Sequence, residues 1–364
     1  MTLLGRGRPL RALQVEITSR CDRRCAVCPR TPLGDQWREG DLDPESWRRL
    51  RSDLELAEHV HLQGWGEPLL HPDVDAMVAD AKAAGCEVGL TTNGDLVDGA
   101  LDWIVTRGVD LVTVSVAGSG ARDAGVRDSA SSAAAWQAVS SLATRRRRRP
   151  RVQVSYLLTV DNAPLLPSAL RDAAEAGADE LFVIHLDCTP TAELRRRAAF
   201  DGTRLRAGVE QFLDEAAAAA RRAGIRYREP ARRAEEMLVC ALDPRRIVFV
   251  GFDGRVGPCV NLLPPVEAAF RRWTEEGVAE VEPVAYGDLH DASLQEILAS
   301  ERARAFVAPF EARCEAERRF LAAQGGWGTA ALERLERTAE ERSEALARTP
   351  FPPSCAGCPK ARGW

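Results

Sequence analysis

The sequence predicts an α/β chain: a partial (β/α)6 barrel of the TIM type, followed by a smaller cysteine-bearing domain. Three observations lead there. From residue 13 to about 186, short β-rich runs alternate with helical segments, the pattern of β/α units on a parallel sheet. The units number six, two fewer than close a full barrel. From about residue 236 the character changes. A boundary near 230 therefore assigns 1–230 to the barrel and 231–364 to a second domain, with a helical insertion at about 290–350.

Strands are expected near 13–18, 58–63, 86–92, 109–116, 151–159 and 180–187. Helices are expected between them, near 43–57, 73–84, 97–107, 132–147 and 164–176, and a long Ala-rich helix over 203–223. The strands alternate with period two. Leu13, Val15 and Ile17 alternate with Gln14, Glu16 and Thr18, and Val60 and Leu62 with His59, His61 and Gln63. Val112, Val114 and Val116 alternate with Thr113 and Ser115. Gln153, Ser155 and Thr159 share a face of the fifth strand, and His185 and Asp187 one of the sixth. Helices must cover the apolar face, so the polar set is read as lining the interior. Such a lining suits a large polar ligand; a polar network bonded to itself is the alternative.

The net charge of −5 over 364 residues gives no general basic field for nucleic acid. No run of eighteen apolar residues marks a membrane span. The first residues carry basic charge but no apolar signal-peptide core. Ten cysteines, clustered in a chain without export signals, read as metal ligands and place the protein in the cytoplasm. Arg145 to Arg149 form a run of five arginines, read as a solvated helix end.

The densest chemistry lies just after the first strand. Cys21, Cys25 and Cys28 have the spacing Cys-x3-Cys-x2-Cys, with Pro29 ending the run. Three thiolates can hold three corners of a [4Fe-4S] cube and leave one iron open. Part of a zinc site is the alternative. Gly64-Trp65-Gly66-Glu67-Pro68 follows at the end of the second strand, where ligand sites of such barrels lie. Glycines there let backbone approach a ligand.

Together these motifs resemble the radical S-adenosylmethionine (SAM) superfamily. In that family the open iron chelates SAM, and a Gly-Gly-Glu-Pro motif binds its methionine amino group; Trp65 replaces one glycine here. The resemblance extends to Thr92-Asn93-Gly94, and to Ser115 and Ser155, as contacts for SAM. Val27 holds a position that is often aromatic in the family, near the adenine, and Phe182 to Ile184 are candidates for the adenine wall.

In the C-terminal part, Ile247 to Cys259 reads as a β-hairpin with an Asp253-Gly254 turn. With Cys240, Cys259, Cys355 and Cys358 it is similar to the SPASM/Twitch auxiliary-cluster domains, in the shorter Twitch form with one auxiliary [4Fe-4S] cluster. The long span between Cys259 and Cys355 is read as a helical insertion. Zinc is again the alternative. Cys86 reads as a buried thiol, and Cys188 and Cys314 as inert thiols or hydrogen-atom donors.

The resemblance implies that flavodoxin or ferredoxin supplies an electron and that SAM yields a 5′-deoxyadenosyl radical. That radical then takes hydrogen from substrate. Four cysteines for four irons leave the second cluster no open site, so its role is to accept an electron. The expected reaction is oxidation of an alcohol to a ketone, similar to the dehydrogenase of butirosin antibiotic biosynthesis. Glu16, His185 and Asp187 are the candidate proton acceptors. The first strand begins near residue 13, which leaves no room for a peptide-leader domain and favours a sugar, aminocyclitol or nucleoside. Dehydration, epimerisation, decarboxylation and peptide modification are the other reactions, and a zinc-stabilised binding protein is the non-enzyme alternative.

Overall fold

The computed structural model describes residues 8–122, 124–126, 131–323, 342–344 and 346–364. Much of the expected insertion, including the glycine-rich run Gly325-Gly326-Trp327-Gly328 that would break its helices, lies outside the described residues. Six β/α units build the first part. Their strands are β1 (Leu10–Val15), β2 (Ala57–Leu62), β3 (Glu87–Thr92), β4 (Leu111–Val116), β5 (Arg151–Leu158) and β6 (Glu180–His185). They pair in sequence order, all parallel. After the short helix α1 (Arg30–Leu33), the covering helices are α2 (Pro44–Ser52), α3 (Val74–Ala83), α4 (Val97–Thr106), α5 (Ser131–Arg145) and α6 (Leu166–Glu175).

Local chemistry sets the helix ends. Asp43 caps α2 by accepting from the amides of Glu45 and Ser46, and Pro44 fixes its first turn. The core lies between sheet and helices. Leu13, Val15, Val60, Leu62, Val112, Val114, Val152 and Val154 pack against Trp47, Leu50, Ile104 and Leu142. Each such side chain contributes about 1.5–3 kcal/mol by leaving water.

The opposite strand faces form the barrel interior, with Thr113 beside Gln153, Ser115 beside Ser155, and Ser155 beside Phe182. Much of this polar set is bonded to itself. His61 Nε2 pairs with Thr91 Oγ1 (2.9 Å), and Thr91 Oγ1 donates to Gln63 Oε1 (3.2 Å). Gly89 leaves room for the His61 ring, since a Cβ there would lie 2.4 Å from Nδ1. Burial depresses the His61 pKa to about 4, so the ring is neutral. Gln153 Nε2 donates to Glu180 Oε2. Gln153 and Glu180 stand near the starts of β5 and β6, whereas His61, Gln63 and Thr91 stand at the C-terminal ends of β2 and β3, where the site loops begin.

After β6 come α7 (Ala192–Arg197), the ribbon β7 (Phe200–Asp201) and β8 (Arg204–Leu205), and α8 (Val209–Ala223). Strand β9 (Arg226–Arg228) then adds parallel to β6. The sheet does not stop at residue 230. Strand β10 (Ile247–Val250) pairs parallel with β1 and turns at Gly254 (φ +81°) into antiparallel β11 (Arg255–Gly257). The open edge of β1 presents unpaired backbone groups, and the apolar Ile247–Val250 run satisfies them. With β14 (Gly287–Asp288) on β11, ten strands among the described residues form one sheet.

The span from Cys259 to Cys355 is not simply helical. It holds the hairpin β12 (Phe270–Thr274) and β13 (Gly277–Val281) and strand β14 before α9 (Leu294–Leu298) and α10 (Glu301–Ala323). Gly277 (φ +124°) makes the tight hairpin turn. No helix among the described residues is long and apolar enough to cross a membrane.

Candidate functional site

Three loops meet at the strand C-terminal ends, and their side chains tie them together. The Cys21–Cys28 loop leaves β1, Gly64–Pro68 leaves β2, and Asn93 leaves β3. Glu67 is buried and its carboxylate is fully engaged. Oε1 accepts from Thr92 Oγ1 (2.8 Å) and the Leu69 amide (3.1 Å), and Oε2 accepts from the Asn93 amide (2.6 Å). Burial raises its pKa to about 7 against the pull of these donors. The Glu67 carboxylate therefore shapes the Thr92–Asn93 loop. Asn93 in turn donates from Nδ2 to Asp22 Oδ1 (2.9 Å), inside the cysteine loop, and accepts from the Asp95 amide (2.9 Å). Asp95 grips Arg23 through both guanidinium nitrogens that face it.

The glycines of the second loop are there for space. A Cβ on Gly66 would lie 2.1 Å from the Thr18 carbonyl oxygen, and one on Gly64 would lie 2.3 Å from Glu16 Cγ. Glu16 fills the place beneath them. It is 1 % exposed, and Oε1 accepts from the Trp65 amide (2.6 Å) while Oε2 has no partner. Burial raises its pKa to about 8. The folded chain thus keeps a proton that the unfolded chain releases above 4.5, so this group's contribution to stability falls as pH rises from about 4.5 to about 8. Glu16→Gln, which keeps the acceptor, should flatten that decline; melting temperatures of both proteins across the window check it.

The other expected SAM contacts surround the same mouth. Ser155 Oγ donates to Ser115 Oγ (3.3 Å) across β4 and β5. Val27 packs with Ala117, Val126, Leu186 and Leu194, an apolar patch at the ends of β4 and β6. Phe182 and Ile184 share the interior face of β6, with Arg228 stacked 4.5 Å over the Phe182 ring; Val183 faces the helices.

His185 corrects the expectation. Alternation along β6 puts it beside Leu158, on the face of Leu181 and Val183, and not in the interior. There it stacks edge-on against Trp364 (5.1 Å) and Phe200 (5.4 Å), and Nε2 donates to the Ala231 carbonyl (2.8 Å). Burial lowers its pKa to about 4. Reading the face from Asp187 backwards fails because β6 ends at His185 and the chain leaves the strand's alternation.

The end of β6 is stitched to the C-terminal part instead. Asp187 Oδ2 accepts from Asn261 Nδ2 (3.2 Å) and pairs with Lys360 Nζ (3.3 Å). Thr189 exchanges bonds with the backbone of Trp273. Cys188, half-buried between them, lies near enough to Cys28 on one side and Cys358 on the other for their charges to reach it; burial is the main cause of its raised pKa. Cys86 is a buried thiol that donates to the Leu54 and Ala57 carbonyls, and Cys314 on α10 accepts from Arg245 (2.7 Å).

Cys240, Cys259, Cys355 and Cys358, from three separate segments, converge within each other's electrostatic reach. Burial and mutual repulsion push Cys355 up to about 12, and burial first among several causes takes Cys240 to about 11. In the first set, burial likewise takes Cys21 to about 11 and Cys28 to about 12. Both sets are half-buried thiols that fit an iron–sulfur cluster in donor type and number, while among the described residues no three metal-ligating side chains are already placed to hold a metal ion.

Trp65, read from the sequence only as a replacement for one glycine, ties the loop after β2 to the second cysteine set. Its Nε1 donates to the Val260 carbonyl (3.2 Å), and its ring packs in the apolar cluster that also takes in Cys259 and Cys355. A bulky residue where a glycine is usual was the available signal.

Known proteins agree with this geometry. Residues 15–160 match the model of the Radical SAM superfamily, and residues 240–319 match SPASM, an iron–sulfur cluster-binding domain. The tungsten-containing aldehyde ferredoxin oxidoreductase cofactor-modifying protein of Pyrococcus furiosus is 26% identical over 302 residues, covering 80% of this chain and 82% of that protein. The PqqA peptide cyclase of Xanthomonas euvesicatoria is 32% identical over 201 residues, covering 52% of this chain and 51% of that protein. Streptococcus suis SuiB bound to S-adenosylmethionine shares the fold, with a TM-score of 0.62 at 11% identity over 83% of this chain and 68% of that one. The first match contains Cys21, Cys25 and Cys28 and the second contains Cys240 and Cys259, so the chain carries a radical SAM domain followed by a SPASM domain, and these imply a SAM-binding [4Fe-4S] cluster and an auxiliary iron–sulfur cluster as its cofactors.

Proposed function

We propose that this enzyme oxidises an alcohol of a small, hydroxyl-rich molecule, such as a sugar, aminocyclitol or nucleoside, to a ketone in cytoplasmic natural-product biosynthesis. The observation that carries the reading is the convergence of Cys240, Cys259, Cys355 and Cys358. Four thiolates saturate four irons, which suits electron acceptance better than substrate ligation. Cys21, Cys25 and Cys28 would hold the cluster that, with SAM and a reduced flavodoxin or ferredoxin, would supply the 5′-deoxyadenosyl radical for removing a hydrogen atom from carbon. The chain's own residues do the rest. Gly64, Trp65, Gly66 and Pro68 shape the loop against SAM, with Glu67 holding Asn93 in place. Ser115, Ser155 and Val27 line the remaining wall. Of the three candidate proton acceptors, Asp187 suits the role best. Its side chain keeps 21% exposure between the two cysteine sets, while Glu16 and His185 are sealed in. Asp187 would take the hydroxyl proton, and a cluster held by Cys240, Cys259, Cys355 and Cys358 would supply the acceptor for the electron, so the alcohol would lose two electrons and two protons in all.

Incubating the reconstituted enzyme with SAM, dithionite and candidate polyols should give a product two mass units lighter than its substrate. One 5′-deoxyadenosine should form per product. A product of unchanged mass that carries one deuterium from heavy water would instead make this a redox-neutral epimerase with Cys188 returning the hydrogen. A second reading, peptide modification, draws on the likeness to the peptide cyclase. Turnover of a peptide and of no polyol would decide for it.

A further inference from the structure

Tyr286 stands just before β14 and donates its amide to the Val256 carbonyl of β11 (2.6 Å), which fixes its ring beside the strand that leads to Cys259. The residue is 4% exposed. Its ring lies 5.7 Å from that of Phe306, which packs in the same apolar cluster as Cys259 and Cys355. The hydroxyl is buried and has no hydrogen-bond partner. A buried hydroxyl without a partner costs about 1–3 kcal/mol, so a retained one points to an acceptor. Cys259, Cys355 and Cys240 lie near enough to the ring for their charges to reach it. Sulfide and thiolate sulfurs of a cluster would be the acceptors within that space.

We propose that the Tyr286 hydroxyl donates a hydrogen bond to a sulfur of the auxiliary cluster held by Cys240, Cys259, Cys355 and Cys358, and thereby raises its reduction potential. The inference rests on the reading of those cysteines as cluster ligands. Hydrogen bonds to cluster sulfurs stabilise the reduced, more negative state. Arg272, buried beside the same cysteines, adds charge of the same effect, but its Nη1 is spent on the Ser354 and Ala356 carbonyls. A raised potential suits an acceptor for the electron of a substrate radical.

The test uses the full chain carrying Cys21, Cys25 and Cys28→Ala, so that only the auxiliary cluster is present. Iron, sulfide and zinc content come first, followed by an EPR-monitored redox titration. Tyr286→Phe should keep the iron and shift the midpoint to a more negative potential. Replacing the chain's tyrosines with 3-fluorotyrosine, whose hydroxyl is a stronger donor, should shift it the other way and covers the case in which the phenylalanine variant loads poorly. An unchanged midpoint in whichever of these proteins loads the cluster overturns the inference. Zinc in place of iron in the tyrosine parent overturns the underlying ligand reading instead, before Tyr286 is tested at all.

Discussion

Replacing Cys21, Cys25 and Cys28 together by alanine should halve the iron of the anaerobically reconstituted protein, from about eight to about four per chain, with sulfide falling in step. The same variant should form no 5′-deoxyadenosine from SAM. Both outcomes follow from two thiol sets that share no ligand, one in the loop after β1 and one drawn from residues 240, 259, 355 and 358. The fold should survive, because these three side chains are half-buried in a loop while Leu13, Val15 and Ile17 of the preceding segment stay in the core. Metal analysis with an SAM-cleavage assay checks the prediction. Unchanged iron would mean that the first set holds none, and complete loss would mean that one cluster draws on both.

Glu67→Ala should weaken SAM binding and 5′-deoxyadenosine formation with every substrate, and also lower stability. The substitution removes the acceptor for Thr92 Oγ1 and for the amides of Leu69 and Asn93. Buried donors left without a partner cost about 1–3 kcal/mol each, so the Thr92–Asn93 loop should loosen. Asn93 then loses its hold on Asp22 in the cysteine loop. Because Glu67 acts through that loop, SAM affinity measured by equilibrium binding should fall at unchanged iron content. An affinity equal to wild type, with an effect confined to one substrate, would place Glu67 at the substrate instead.

The local patterns were legible in the chain itself. The Cys-x3-Cys-x2-Cys loop, the glycines that a close approach demands at Gly64 and Gly66, and the apolar alternation of Val112, Val114 and Val116 all depend on neighbours in sequence. Period two in a strand and crowding in a tight turn act over a few residues, so spacing is enough to read them. The six-unit barrel followed from the same short-range signals.

Tertiary structure decided what lies across the molecule. That His185 faces Trp364 and Phe200 depends on where β6 stops and on the chain's last residue folding back 179 positions later. That β10 completes the edge of β1 depends on which backbone groups the first six strands leave unpaired. The partners of Glu67, Glu16 and Trp65 also belong here. Spacing identifies a carboxylate, but only burial and the identity of its partners decide whether it meets a ligand or holds a loop, because in a low-dielectric interior an unmet polar group is costly.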